Sequence, residues 1–217
     1  MVVGLMLGYS VFFGNVSGVY FGIITLAVAA ILQQLFITLI KYTGGSNGLY
    51  GYPLPLKDDL VIYFFILVVA LAAYLFCRWV AGSSFGRALE GIKQNDERMS
   101  ALGYNVALLR LITFGLACGL AGLSGFLFTL VGFVSPELFG LLWSTSVIIW
   151  VAVGGRGTLI GAVVGTLLIK YLEELLSSAL VTYWLLLVGV FLIAVVLFWP
   201  QGLMGAIKER FGRTLIG

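Results

Sequence analysis

The densest group of ionisable side chains in this chain lies in one polar stretch, residues 82–110, reading GSSFGRALEGIKQNDERMSALGYNVALLR. Leu89, Ile92, Met99 and Leu102 fall at approximately helical intervals there, with Arg87, Glu90, Lys93, Asp96, Glu97 and Arg98 between them. That spacing predicts a short amphipathic helix or pair of helices, interrupted near Gly91 and ended by Gly103. Such a segment can pair charges and seat apolar side chains in a groove. Both signs of charge are present, which favours a protein groove over a bed of lipid headgroups. Covalent chemistry lacks its parts: there is no histidine, the two cysteines are Cys77 and Cys118, and no pair of carboxylates falls inside an apolar run. General-base, zinc and nucleophile arrangements are therefore not expected, and we expect no catalytic residue, metal or cofactor and no enzyme. The GGRGT stretch from Gly154 could form an anion nest, but Leu159 follows where a phosphate loop carries Lys and Ser or Thr, so nucleotide binding is a weak reading.

The elements that position this stretch follow from composition. Of 217 residues, 61% are hydrophobic and only 10% charged, and the mean hydropathy is +1.13; a water-soluble domain of this size would have an apolar exterior. Runs free of charge cover 1–40, 60–77, 111–136, 138–155, 157–169 and 175–207. At about 20 apolar residues per crossing these supply about six or seven membrane segments. The expected fold is an all-α polytopic helical membrane protein, with short or broken helices near residues 1–18 and 143–171. The first run has no basic residue before its apolar core and no small-residue cleavage site, which argues against a removable leader. Residues 14–18, GNVSG, separate a short apolar piece from 19–40. This suggests an N-terminally shortened chain or a partial or re-entrant first helix. Arg78, Arg87, Lys93, Arg98 and Arg110 cluster in or beside one loop and Lys208, Arg210 and Arg213 in the tail, whereas residues 133–142 hold no basic residue. By the positive-inside rule the loop 78–110 and the C-terminus are cytoplasmic and the 133–142 loop is external.

Polar side chains inside the apolar runs need hydrogen-bond partners, so Thr25, Gln33, Gln34, Thr113, Ser144 and Thr145 are candidates for a solute pathway or for contacts between helices. The glycines and Asn47 of the 43–49 loop, followed by Pro53 and Pro55, predict a tight turn. Gly115, Gly119 and Gly122 in one span, and Gly161 and Gly165 in another, mark close helix packing. Residues 143–153 and 159–169 are each too short to cross a bilayer, so they form either two squat helices or a re-entrant hairpin with Arg156 at its tip. Lys170, Glu173 and Glu174 mark a polar edge. A final span at 182–199, stopped by Pro200, places Trp184 and Trp199 at interface depth.

GRALEGIKQNDER from Gly86 and ALGYN from Ala101 resemble the cytoplasmic loop of permease subunits in the branched-chain amino acid and urea branch of ATP-binding cassette importers. Further matches occur in order: GVYFGIIT from Gly18, GGSNGL from Gly44, residues 117–125, Ser135 with Pro136, residues 153–161, and FWPQGL from Phe198. The resemblance implies one transmembrane permease domain over 1–217, with a coupling loop at 82–104 and a cytoplasmic tail at 201–217. It implies a bacterial or archaeal plasma membrane location. The implied partners are a second permease subunit in a heterodimer, two cytoplasmic ATPase subunits, a periplasmic or extracellular substrate-binding protein and membrane lipid, with no nucleic acid. In that scheme Leu89, Ile92 and Leu102 plug a groove on the ATPase, Arg87, Glu90, Asp96, Glu97 and Arg98 set register, and Gly103 closes the loop. WVAVGGRGTL from Trp150 looks nearer to urea-type permeases, while the 43–49 loop fits the amino-acid branch equally well. A stand-alone channel or facilitator for a small neutral solute is the main rival.

Overall fold

The computed structural model describes residues 2–14, 18–50, 58–130, 132–155, 157–179 and 189. Pro53, Pro55, Arg156, the expected span at 182–199 except residue 189, and the tail lie outside these residues. The fold is that of an all-α polytopic membrane protein, and the chain divides into two compact units, Met1–Gly140 and Leu141–Gly217.

The first unit contains α1 (Val2–Phe13), α2 (Val19–Thr38), the single turn α3 (Ile40–Thr43), α4 (Asp59–Gly82), α5 (Ser84–Gln94), α6 (Asp96–Ala101) and α7 (Val106–Thr129). Helices α2, α4 and α7, of 20, 24 and 24 residues, are long and apolar enough to cross a membrane. A 24-residue helix is about 36 Å long, which exceeds the roughly 30 Å hydrocarbon core. Both α4 and α7 therefore run past the charge-free segments that announced them and carry Arg78 and Arg110 near their ends. Their apolar side chains remain largely uncovered, Phe64, Val68 and Leu71 on α4 among them, as befits elements whose solvent is lipid.

Close approach holds α1 against α7. A Cβ at Gly4 would lie 2.5 Å from Cys118 Sγ, one at Gly8 2.9 Å from the Phe114 ring, and one at Gly115 2.6 Å from Leu5. Phe12 stacks on Phe21 at 5.3 Å between centroids, and both meet Phe114 edge-on at 5.9 and 5.4 Å, so three rings join α1, α2 and α7. Of the small residues expected to pack, Gly115 is buried and Gly119 half-buried, while Gly122 has no atom within 4 Å of its Cβ position.

The 43–49 loop is the expected tight turn. Gly44, Gly45 and Gly48 take φ of +72°, +65° and +72°, values that a side chain disfavours. Thr43 Oγ1 donates to the carbonyls of Phe36 at 2.5 Å and Leu39 at 2.9 Å. A short antiparallel ladder follows, which the sequence did not announce: β1 (Leu49–Tyr50) pairs with β2 (Phe133–Val134) in the register Leu49↔Val134 and Tyr50↔Phe133. Beside it a 3₁₀ turn, Pro136–Phe139, stacks Phe139 on Phe36 at 5.0 Å.

The second unit is built on α8 (Leu141–Gly154) and α9 (Leu159–Ala179). The pair is bent by 114° and counts as one broken span or a re-entrant loop. Among the described residues three helices are long and apolar enough to cross a membrane, or up to four if the bent pair is one span; the expected segments, about six or seven, also count the short apolar α1 and the span at 182–199. Gly154, Gly161 and Gly165 explain how the two helices meet: a Cβ at Gly165 would lie 2.5 Å from Gly154 Cα and from the Trp150 carbonyl oxygen. Val153 and Ile169 are enclosed at this junction, with Ile149, Trp150 and Leu168 packed around them.

Candidate functional site

Helix capping explains why the polar stretch folds into a defined shape. Ser83 Oγ accepts the Gly86 N–H at 3.3 Å at the start of α5, Asn95 Oδ1 accepts the Arg98 N–H at 2.9 Å at the start of α6, and Asn105 Oδ1 accepts the Leu108 N–H at 3.0 Å at the start of α7. Each cap satisfies an orphan donor and contributes about 1 kcal/mol. Asp96 and Glu97 fall in the first turn of α6, where the helix dipole favours negative charge. The break between the two helices comes at Asn95, not at Gly91 as the sequence suggested. Gly91 instead admits Met99, whose Sδ would be 2.6 Å from a Cβ there. Gly103, at φ +87°, ends the pair, and the Tyr104 N–H reaches back to the Met99 carbonyl at 3.1 Å.

This geometry divides the nine residues singled out in the loop. Ile92, at 8% exposure, is turned inward with Ala88; its side chain is part of the loop's own packing and is not on the face open to a partner. Leu89 is half-buried. Leu102, at 72% exposure, is the uncovered apolar side chain. Arg87, Glu90, Glu97 and Arg98 are exposed, as is Lys93. Asp96 pairs with Arg110 on the first turns of α7, so α6 is tied to a membrane helix by an ion pair in addition to the covalent turn. Arg87 donates to the Gly82 carbonyl at 3.3 Å and to Ser84 Oγ at 3.1 Å, which fixes the corner between α4 and α5. A shallow hollow of about 450 Å³ beside that corner is lined by Leu75, Arg78, Trp79, Gly82 and Ser83.

The expected pathway residues are spread over both units. Thr25, Thr113 and Thr145 turn their hydroxyls onto their own helices, donating to the carbonyls of Gly22 at 3.0 Å, Leu109 at 2.8 Å and Leu141 at 2.7 Å, which satisfies them locally. Gln33 is half-buried beside Gly140, where a Cβ would lie 3.5 Å from its Nε2; Gln34 and Ser144 are exposed.

One cluster went unrecognised in the sequence. Lys170 Nζ lies 4.5 Å from the ring centroid of Trp150 and 5.8 Å from that of Trp143, and 2.8 Å from Glu173 Oε2. An isolated ammonium in a membrane helix costs roughly 2.5–3.5 kcal/mol, and the indole faces and carboxylate offset that cost. The signals were present as two tryptophans seven apart and a Lys–Glu pair three apart; what the sequence does not give is the glycine junction that brings them together.

Long apolar helices joined by a capped, charged helix pair define the class as a polytopic helical membrane protein. Residues 1–196 match the family described as branched-chain amino acid transport system / permease component, and the chain belongs to that family. It is 27% identical to the high-affinity branched-chain amino acid transport system permease protein LivM of Escherichia coli (strain K12), an alignment covering 93% of this chain and 54% of the relative. A probable branched-chain amino acid transport permease protein LivM of Methanocaldococcus jannaschii is 23% identical over 85% of this chain and 59% of its own length. The autoinducer 2 import system permease protein LsrC of Salmonella choleraesuis is 26% identical over 79% and 54%. The chain thus spans little more than half the length of these curated relatives. No solved structure matches it. The family and these relatives are permease components of transport systems, not enzymes, and their names lend no support to the urea-type reading.

Proposed function

We propose that this chain is a plasma-membrane permease subunit of an ATP-binding cassette importer for small nitrogenous solutes without net charge, branched-chain amino acids before urea. It pairs with a second permease, receives solute from a binding protein outside the cell, and is moved by two cytoplasmic ATPase chains. The observation that carries the reading is the α5–α6 pair, capped at each start, tied to α7 through Asp96 and Arg110 and exposing Arg87, Glu90, Glu97, Arg98 and Leu102. A partner gripping that face displaces α4 and α7 together, because the corner at Arg87 and the ion pair at Arg110 leave little slack. Solute then crosses by alternating access, and the ATP chemistry resides on the partner chains. The loop 78–110 and the C-terminus face the cytoplasm in this scheme, in keeping with their basic residues.

The test is charge reversal, Glu90→Lys with Glu97→Lys, in the assembled importer. Loss of ATPase co-purification and of ATP-driven uptake is expected, and unchanged association with unchanged uptake would refute the reading. Liposomes holding this chain alone should pass no solute; ATPase-independent flux would favour the channel alternative.

A further inference from the structure

Trp143 and Trp150 are two helical turns apart on α8 and so share a face. The glycine junction brings α9 against that helix so that Lys170 reaches both rings and Glu173 at once. The cluster therefore offers a cation, a carboxylate and two aromatic faces within one ligand's reach. The Lys170 side chain is 48% exposed and that of Glu173 24%.

Resting on the importer reading above, we propose that Trp143, Trp150, Lys170 and Glu173 form a zwitterion-binding site whose ligand is an apolar α-amino acid. The Lys170–Glu173 pair is the resting state. On binding, the ligand's carboxylate takes Lys170 and its ammonium takes Glu173 and the indole faces, where cations are attracted to the ring quadrupole. The four residues and the ligand each have no net charge, and the neighbouring Glu174 is exposed, so the exchange creates no new unpaired ion in the segment, where one would be costly. The ligand's hydrocarbon side chain lies on the same indoles. Urea has no ionic group with which to open the pair, so the site selects against it.

Equilibrium binding of radiolabelled leucine to the full chain in phosphatidylcholine nanodiscs tests this. Saturable binding is expected, weakened at least about tenfold in both Lys170→Met and Glu173→Gln, the size of one lost charge-assisted bond, and kept within about threefold in Lys170→Arg, whose guanidinium keeps the charge and can lie on the same indole faces. Urea, leucinamide and isocaproate, which lack one or both charges, should fail to displace leucine. Equal affinity in wild type, Lys170→Met and Glu173→Gln, displacement by urea, or no saturable binding by folded wild type would each overturn the site. Ethanolamine lipid carries both charges in its headgroup; if adding it to the discs blocks leucine, the site belongs to lipid and the solute proposal fails. ATP-driven uptake measured alongside separates the two ideas: uptake that persists in Lys170→Met with unchanged leucine binding removes this site and leaves the importer reading standing.

Discussion

Two lysine–glutamate pairs at the same three-residue spacing sit in opposite surroundings in this chain. Glu90 and Lys93 on α5 are 3.6 Å apart with side chains 65% and 72% exposed, in a segment rich in other charges. Lys170 and Glu173 on α9 are 2.8 Å apart, in an apolar element where Trp143 and Trp150 are the other partners of the cation. In water an exposed pair is screened and contributes up to about 1 kcal/mol. In a membrane helix each partner offsets a larger cost, roughly 2.5–3.5 kcal/mol for an ion left alone there. The lesson is that identical chemistry serves as surface lettering in the loop and as structure in the bent pair.

That contrast can be broken most strongly at the junction that creates it. Gly165→Val would drive side-chain atoms into the backbone of Gly154 and Trp150, which cannot yield as a flexible side chain can. We expect a loss of about 1–3 kcal/mol, read by denaturant titration in micelles, with Lys170 released from the indoles and altered tryptophan emission. Next in size is Arg110→Asp, which sets a carboxylate beside Asp96 and unties α6 from α7. A stability loss of about 1 kcal/mol or less is expected at this half-exposed position, accompanied by a clear fall in ATP-driven uptake that the swap Asp96→Arg with Arg110→Asp restores. If uptake fails to recover in the swap, the tie is not what transmits motion. Smallest is Lys93→Met, expected to change stability by about 0.5 kcal/mol or less; a loss comparable to that of Gly165→Val would erase the distinction between the two regions.

The sequence disclosed the spans through their freedom from charge and disclosed the loop through alternation of charge with Leu89, Ile92, Met99 and Leu102. Boundaries were less legible: α4 reaches Gly82 and α7 begins at Val106, because Arg78 and Arg110 can remain helical while their heads leave the hydrocarbon. The spacing predicts an interruption near Gly91, whereas Asn95 makes the break by capping a new helix. Exposure could not be read at all: Ile92 and Leu102 look alike in sequence and lie at opposite extremes. The ladder between β1 and β2 and the Trp143–Trp150–Lys170 cluster were invisible for the same reason, since both depend on chain segments meeting rather than on local pattern.

The β1–β2 ladder has a mechanical meaning. Residue 49 and residue 134 are pinned to each other while α4, α5, α6 and α7 all lie between them in the chain, so this stretch leaves and returns to one clasp. In the importer proposed above, a push delivered at α5 and α6 would therefore act on a segment closed at both ends rather than on a free loop, with Leu49 and Val134 at the closure.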